Sequence, residues 1–239
     1  MRFLLIAALL PATACHASWE KEGHAIQPSG KGATRSFAAS GFTGVDLRGP
    51  DDVDVKTGPD FRVTAEGDSA ILDQLEIQVV NGSLRVGRKD NQGSWFSNDP
   101  GVKVHVVMPK LTTAGVAGSG DLSIDKAEGD VRAEIAGSGN LSIASLNSGE
   151  TDFSIAGSGD LNASGSARNL KVSIAGSGDV AAEGLTATSA DISVVGSGNV
   201  RSVVKGEAQV SIAGSGDVEL TGGARCQVSA MGSGEAHCS

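Results

Sequence analysis

The stretch that decides the fold is Val172-Ser173-Ile174-Ala175-Gly176-Ser177-Gly178-Asp179-Val180. Its Gly-Ser-Gly tripeptide occurs seven times, and the first glycines are spaced by 19, 20, 19, 20, 18 and 18 residues. These glycines are Gly118, Gly137, Gly157, Gly176, Gly196, Gly214 and Gly232. A period near nineteen residues is typical of a solenoid, in which each unit buries its apolar side chains by stacking on its neighbours.

The residues around each tripeptide alternate in polarity as strands do. Val172 and Ile174 precede the glycine by four and two positions, and the polar Ser173 lies between them. This period of two directs the apolar pair inward. Two more inward columns follow the corner, so each unit is predicted to consist of strand, corner, strand and loop. These columns are Leu122, Leu141, Leu161, Val180, Val200, Val218 and Ala236, then Ile124, Ile143, Ala163, Ala182, Ser202, Leu220 and Cys238.

The predicted fold is all-β, a parallel β-helix or solenoid of about seven repeats of 18 to 20 residues. Only 3% of the residues are aromatic, whereas 39% are hydrophobic, so small aliphatic side chains must fill a thin core. Glycine is expected at the corners because a sharp bend demands backbone angles that a Cβ forbids. The formal net charge of -9 disfavours nucleic acid as a partner, since no run of Lys or Arg offsets it.

The first residues are typical of an export signal. Arg2 precedes an apolar run at 3–10, which is too short to span a bilayer. We predict a signal peptide at 1–14 and a flexible tether, rich in Gly, Ser and Lys, at 15–36. Two cleavage patterns stay open. Ala12-Thr13-Ala14 suits the general signal peptidase, whereas the same residues followed by Cys15 resemble a lipobox, which places a lipid anchor on Cys15.

The chain has three cysteines, an odd number that needs a reason in an oxidising compartment. Cys226 lies six residues before a corner glycine and Cys238 lies in the last inward column, so both point into the terminal unit. We predict a disulfide between Cys226 and Cys238 that staples the last turn and covers the end of the solenoid. The alternative is two unpaired cysteines that act as small apolar side chains.

Residues 37–110 are predicted to form shorter, less regular strands that close the other end of the same body. Asn81-Gly82 between two alternating segments is the strongest hairpin signal in the chain. Residues 37–239 are thus predicted to be one domain, with the regular repeats at 111–239. Within the irregular loop at 90–101, Trp95 and Phe96 are a candidate contact site for sugar or protein, unless they pack against the body.

A residue with a side-chain oxygen follows each corner. Stacked coils place these side chains about 5 Å apart, and a row of oxygen ligands suits calcium. The alternative, which we favour, is that they hydrogen-bond the turn backbone, and we predict no cofactor. The row is Asp121, Asn140, Asp160, Asp179, Asn199, Asp217 and Glu235.

Known catalytic motifs are absent from the sequence. It contains no G-x-S-x-G, C-x-x-C or H-E-x-x-H pattern. A polysaccharide-acting β-helix enzyme is a remote alternative, in which the carboxylates of the row imitate a catalytic cluster. The sequence therefore predicts a protein that is not an enzyme.

These motifs resemble the bacterial head GIN domain family. The resemblance rests on the repeated Gly-Ser-Gly-(Asp/Asn)-(Leu/Val), on Phe42-Thr43-Gly44-Val45 and on the segment 49–55, and it covers about residues 35–239. It implies a β-solenoid of the cell envelope that carries the label of an autotransporter adhesin head. The family has no catalytic residues to carry over.

The function expected from the sequence is that of an exported, non-enzymatic structural or adhesion-type module. It is expected at the outer membrane or in the periplasm if Cys15 carries a lipid, and otherwise secreted. The alternative function is a periplasmic or outer-membrane lipoprotein that binds a glycan or a protein partner. In either case the lipid is the only expected membrane contact.

Overall fold

The computed structural model of the protein describes residues 23–89 and 101–239. Nineteen strands joined in one continuous sheet and a single helical turn form this part of the chain. Every pairing between consecutive repeats is parallel. The predicted all-β solenoid is thus confirmed.

The N-terminal part contains seven strands and helix α1. They are β1 (Thr34–Phe37), β2 (Gly44–Gly49), β3 (Asp52–Thr57), β4 (Arg62–Gly67), α1 (Ser69–Leu72), β5 (Leu75–Val80), β6 (Ser83–Arg88) and β7 (Val102–Met108). The repeat part contains twelve strands. They are β8 (Thr113–Gly118), β9 (Leu122–Ile124), β10 (Ala127–Glu128), β11 (Val131–Gly137), β12 (Leu141–Gly157), β13 (Leu161–Gly176), β14 (Val180–Gly196), β15 (Val200–Val204), β16 (Glu207–Gly214), β17 (Val218–Thr221), β18 (Arg225–Gly232) and β19 (Ala236–Cys238).

The predicted corners stack in one column. The first glycine of each tripeptide pairs with that of the next repeat, from Gly118 with Gly137 to Gly214 with Gly232. The φ angles of these glycines lie between +125° and +140°, a region that other residues rarely adopt. A Cβ on Gly176 would lie 2.1 Å from the carbonyl oxygen of Gly157 in the preceding coil. Both the bend and the close approach of the neighbouring coil therefore require glycine.

The segment of each repeat that was predicted to be a loop instead contains β-strand and forms a third side of the coil. Ala127 pairs with Leu146, and Leu185 pairs with Gly165, so this side has its own parallel ladder. In β12, β13 and β14 one strand runs from one corner to the next and bends at register shifts, such as that between Ile143 and Leu146. The interpretation as a loop was wrong because the side chains of Leu146 and Leu185 are buried there.

The N-terminal strands close one end of the solenoid, as predicted. β2 and β3 pair in parallel with β8 and β9 and add a coil before the first repeat. Beyond it, β4 pairs antiparallel with β7, and β5 pairs antiparallel with β6 through the predicted Asn81-Gly82 turn. Helix α1 connects β4 to β5 and buries Ile71 and Leu72 in the core.

The ordered body begins earlier than the predicted boundary between tether and domain. β1 starts at Thr34 and pairs antiparallel with β4, although residues up to 36 were assigned to the tether. Arg35 is buried on this strand, and its Nη2 lies 2.7 Å from Asp73 Oδ1. Ile26 packs against the core, so the region that precedes β1 also takes part in the fold.

The predicted inward columns are buried in every repeat except the last. Val210 and Ile192, four residues before their corners, are 1% and 0% exposed, whereas the corresponding Val228 is 48% exposed. Cys226 and Cys238 are joined by the predicted disulfide, with Cα atoms 6.5 Å apart. The expectation that this bond covers the end was nevertheless wrong, because the bond joins two sides of the coil and leaves Val228 beside it exposed.

Candidate functional site: the side-chain ladder and the groove

The side chains that follow the corners form a hydrogen-bonded ladder along the solenoid. Oδ1 of each member accepts the backbone N–H of the next member, as in Asp160 to Asp179 (3.0 Å) and Asp179 to Asn199 (2.7 Å). The other steps run from Asp121 to Asn140, Asn140 to Asp160, Asn199 to Asp217 and Asp217 to Glu235, at 3.0 to 3.1 Å. These contacts fit the interpretation that the row stabilises the turn backbone.

The ladder begins one coil earlier than the sequence analysis placed it. Gly49 pairs with Gly118, and Asp52 Oδ1 accepts the N–H of Asp121 at 3.2 Å. Gly49-Pro50-Asp51-Asp52 is therefore an additional corner with the layout of Gly-Ser-Gly-Asp. Sequence reasoning missed it because Pro50 and Asp51 replace the serine and second glycine, and only the spacing from Gly49 to Asp52 signals it.

Asp51 uses its unusual place in that corner to bind an arginine. Its carboxylate is fully buried, and Oδ2 accepts a hydrogen bond from Arg88 Nε at 2.9 Å. Oδ1 accepts the backbone N–H of Val102 at 3.0 Å. The pair thus links the first corner to the end of β6 and to the start of β7, which follows the undescribed residues 90–100.

The ladder does not converge on a metal centre in the described ranges. Across residues 23–89 and 101–239 no group of three or more His, Cys, Asp or Glu side chains is close enough to hold a metal ion. One oxygen of each ladder side chain from Asp52 to Asp217 is already an acceptor for backbone N–H. Melting of the protein with and without calcium tests the alternative in which the row binds this ion.

A groove of about 730 Å³ runs across five consecutive coils where the third side meets the first. Its floor contains small and apolar side chains, among them Val131, Thr151, Leu170 and Ala190. One wall carries Asp130, Glu150, Asn169 and Ser189, and the other wall carries Thr113, Arg132, Asp152, Lys171 and Asp191. The groove exists because residues on both sides of the buried column point outward at every coil.

The groove offers both donors and acceptors to a ligand. Arg132 Nη2 lies 3.2 Å from Asp152 Oδ2, an exposed ion pair that a polar ligand can replace at small cost. Ser189 Oγ donates to Asn169 Oδ1 at 2.8 Å on the opposite wall. The hydroxyl of Thr151 in the floor is buried and has no hydrogen-bond partner in the structure. An unsatisfied hydroxyl is costly in a protein interior, which distinguishes this floor from the rest of the core.

A second polar cluster lies on the outer face of β3, β4 and β7. Lys103 Nζ is 3.0 Å from Asp54 Oδ2, and this hydrogen bond raises the pKa of Lys103 above its ordinary value. His105 Nε2 is 3.1 Å from Glu66 Oε1. The cluster consists of exposed ion pairs between neighbouring strands, and such pairs contribute little to stability.

Three of the predicted site residues lie outside the described residues. They are Cys15, the candidate lipid attachment site, and the aromatic pair Trp95 and Phe96. The predicted signal peptide lies there as well. In the part of the chain that the structure describes, no helix is long and apolar enough to cross a membrane.

The family model described as "Putative auto-transporter adhesin, head GIN domain" matches residues 41–224. The chain belongs to this family. The match takes in all the N-terminal strands except β1 and the repeats up to β17, and it ends just before the last coil. The head GIN assignment made from the Gly-Ser-Gly repeats is therefore confirmed. No curated protein is significantly similar to the chain in sequence.

Several solved structures have the same fold as this head GIN domain. A "putative adhesin" from Bacteroides fragilis is 21% identical with a TM-score of 0.78, and the match covers 90% of this chain and 100% of that one. A "putative adhesin" from Parabacteroides merdae is 19% identical with a TM-score of 0.68, over 88% and 97% of the two chains. A "putative lipid binding protein" from Parabacteroides distasonis is 21% identical with a TM-score of 0.67, over 89% and 98%. At these identities the likeness shows the fold alone.

Proposed function

We propose that this head GIN protein is an exported, non-enzymatic adhesion-type module of the cell envelope that binds its partner through the groove. The observation that carries the proposal is the groove itself, which spans five coils and presents polar side chains on both walls. A rod of stacked coils holds these side chains in fixed register, so an extended partner meets the same kind of surface at each coil. The family's adhesin label supports a binding role.

The chemistry of the carboxylates supports a role without catalysis. A polysaccharide-cleaving site needs carboxyl groups that are free to act as acid, base or nucleophile. Asp160 and Asp179 instead accept backbone N–H groups of the next coil. Their position is explained by the repeat, and the partner is therefore expected to be bound and released unchanged.

The partner is expected to be a glycan or a protein with hydroxyl and amide groups. A strongly anionic ligand is disfavoured, because Asp130, Glu150, Asp152 and Asp191 outnumber Arg132 and Lys171 in the groove. The proposed export of the protein rests on the signal-peptide pattern in residues 1–15, where Ala12-Thr13-Ala14-Cys15 favours a lipid anchor.

Two double variants, each of which loses one arginine and one lysine, test whether the groove binds the partner. R132A/K171A removes one arginine and one lysine from the groove, and R201A/K205A removes one of each from other exposed positions. Beads coated with each protein are scored for retention on glycan arrays and on surfaces coated with extracellular-matrix protein. Loss of retention with the groove variant alone is the expected result, and equal retention of both variants contradicts the proposal.

The location of the protein in the cell needs separate measurements. The intact mass of the protein from its native envelope distinguishes a lipidated chain that begins at Cys15 from a chain cut after Ala14. Protease treatment of intact cells then separates the two functional alternatives. Cleavage of the head supports the adhesion role, and protection supports a periplasmic module that uses the same groove on a glycan or protein inside the envelope.

A further inference from the structure

The C-terminal end of the solenoid exposes side chains that are buried everywhere else in the repeat. Val228 is 48% exposed, whereas Val210 in the preceding coil is 1% exposed. Ala230 in the neighbouring inward column is exposed as well, although Ile212 beneath it is buried. The end is therefore an apolar face made by the core of a coil.

The backbone at this end is also available for pairing. Within the described residues, β18 forms a ladder with β16 alone and β19 forms one with β17 alone. Proteins usually protect such edges with charged side chains, above all lysine, or with proline, a bulge or an inward-pointing charge. β18 reads Arg-Cys-Gln-Val-Ser-Ala-Met-Gly, without lysine or proline, and its inward side chains are Cys226, Val228 and Ala230. Arg225, at the first residue, is the one charged side chain of this strand, and the edge from Cys226 to Gly232 has no charge, proline or bulge.

The two ends of the rod differ, and this difference determines which partner fits. At the N-terminal end, the antiparallel strands β1, β4, β5 and β6 and helix α1 cover the core. Head-to-tail stacking of copies is therefore blocked. A two-fold axis across the C-terminal end instead lays the apolar column on its own copy and brings each free edge against an antiparallel copy, a closed and self-limiting arrangement.

We propose that the C-terminal end formed by residues 225–239 is an interface for a second copy of this chain, which joins the first one tail to tail. The last coil has 15 residues. At about 3.3 Å per residue and about 10 Å of width, its end face covers roughly 500 Å². A dimer then buries on the order of 1,000 Å² in total, at the lower end of specific interfaces. The pair is reversible and forms at high local concentration, as on a crowded envelope surface.

Sedimentation equilibrium of the full chain tests the interface. Val228→Lys places a charge in the end face, and Val195→Lys places the same charge on the side of the rod at a valine that is 56% exposed. Between about 1 and about 200 µM, a range chosen for a weak interface of this size, wild type and V195K approach twice the monomer mass. V228K stays monomeric while its melting temperature and circular dichroism match those of V195K.

Three results overturn the proposal. One is a wild-type chain that stays monomeric over the whole range, as happens when the N-terminal segment or a foreign partner covers the end. Another is a V228K variant that associates as strongly as wild type. The third is an association lost in V195K, which places the contact on the side of the rod. Loss of the groove's binding activity leaves the dimer unaffected, so the two proposals fail independently.

Discussion

Asp179 Oδ1 accepts two hydrogen bonds from Asn199 in the next coil, one from the backbone N–H at 2.7 Å and one from Nδ2 at 3.0 Å. A single side chain therefore ties the corner of one coil to the corner of the next. The same relation recurs between Asp121 and Asn140. The ladder is thus a stabilising element of the stack in its own right.

Removal of this acceptor is expected to destabilise the solenoid. Asp179→Ala leaves the N–H of Asn199 without its partner and lowers the free energy of unfolding by about 1–3 kcal/mol. Asp179→Asn keeps an acceptor oxygen, as Asn140 and Asn199 do naturally, and costs less than the alanine variant. Urea unfolding of both variants measures the difference. An equal loss in both would mean that the charge, and not the acceptor, matters.

The first glycine of a corner is expected to tolerate no side chain. In Gly176→Ala the new Cβ meets the carbonyl oxygen of Gly157 at 2.1 Å, and the φ of +139° is unfavourable as well. We expect a loss above about 2 kcal/mol. The adjacent exposed Ser177→Ala is the control and is expected to be near neutral. Thermal melts of the two variants that coincide would contradict the stacking explanation.

Calcium is expected to leave the melting temperature unchanged. Each ladder carboxylate from Asp52 to Asp217 already uses one oxygen for a backbone N–H. Among the described residues, no three His, Cys, Asp or Glu side chains lie close enough together to hold a metal ion. Differential scanning fluorimetry with millimolar CaCl₂, compared with the same concentration of MgCl₂, measures this. A rise that is specific to calcium would restore the metal interpretation of the row.

The buried ion pair at the first corner is expected to matter far more than an exposed one. Asp51→Ala removes the buried carboxylate that accepts from Arg88 and from the Val102 N–H, and we expect a loss of about 3–5 kcal/mol. Asp152→Ala breaks the exposed pair with Arg132 and is expected to cost at most about 1 kcal/mol. Denaturant unfolding compares the two. Similar losses would show that burial does not determine how much each ion pair contributes to stability.

Reduction of the disulfide is expected to loosen the last coil alone, because each coil of a solenoid contacts only its neighbours. With Cys226 and Cys238 reduced, hydrogen exchange in residues 225–239 should increase while exchange in β12 to β14 stays unchanged. C226S/C238S should show the same pattern and no further response to reductant. Faster exchange throughout the rod would indicate that the bond supports the whole fold.

The periodic features of the fold were predictable from sequence, and the irregular ones were not. The columns next to Gly-Ser-Gly keep a constant offset from the corner, so their burial follows from simple alternation. The third side escaped detection because Ala167, Ala187 and Val204, buried residues that pair with one another across coils, lie at different distances from the preceding corner glycine. The variation in repeat length between 18 and 20 residues occurs in this third side.

The site was less accessible to sequence reasoning than the fold. The ladder's residues were found, since they follow the motif directly, but the extra rung at Asp52 was hidden by the substitution of Asp51 for glycine. The groove combines residues on both sides of a buried column, five coils deep, and no short motif marks it. Val228 is exposed because no further coil stacks on β18 in the described residues. The alternation of polar and apolar side chains does not indicate where the stack ends.

The ladder also bears on how such a rod changes its length over generations. Each ladder residue accepts a hydrogen bond from the next one, and its backbone N–H donates to the previous one. The duplication or excision of a whole repeat therefore restores the ladder's hydrogen bonds where the coils meet. We therefore expect unequal recombination between the similar Gly-Ser-Gly segments to yield shorter and longer rods that fold. The length of the solenoid is in this way a heritable quantity, adjustable in steps of one coil, about 4.8 Å each.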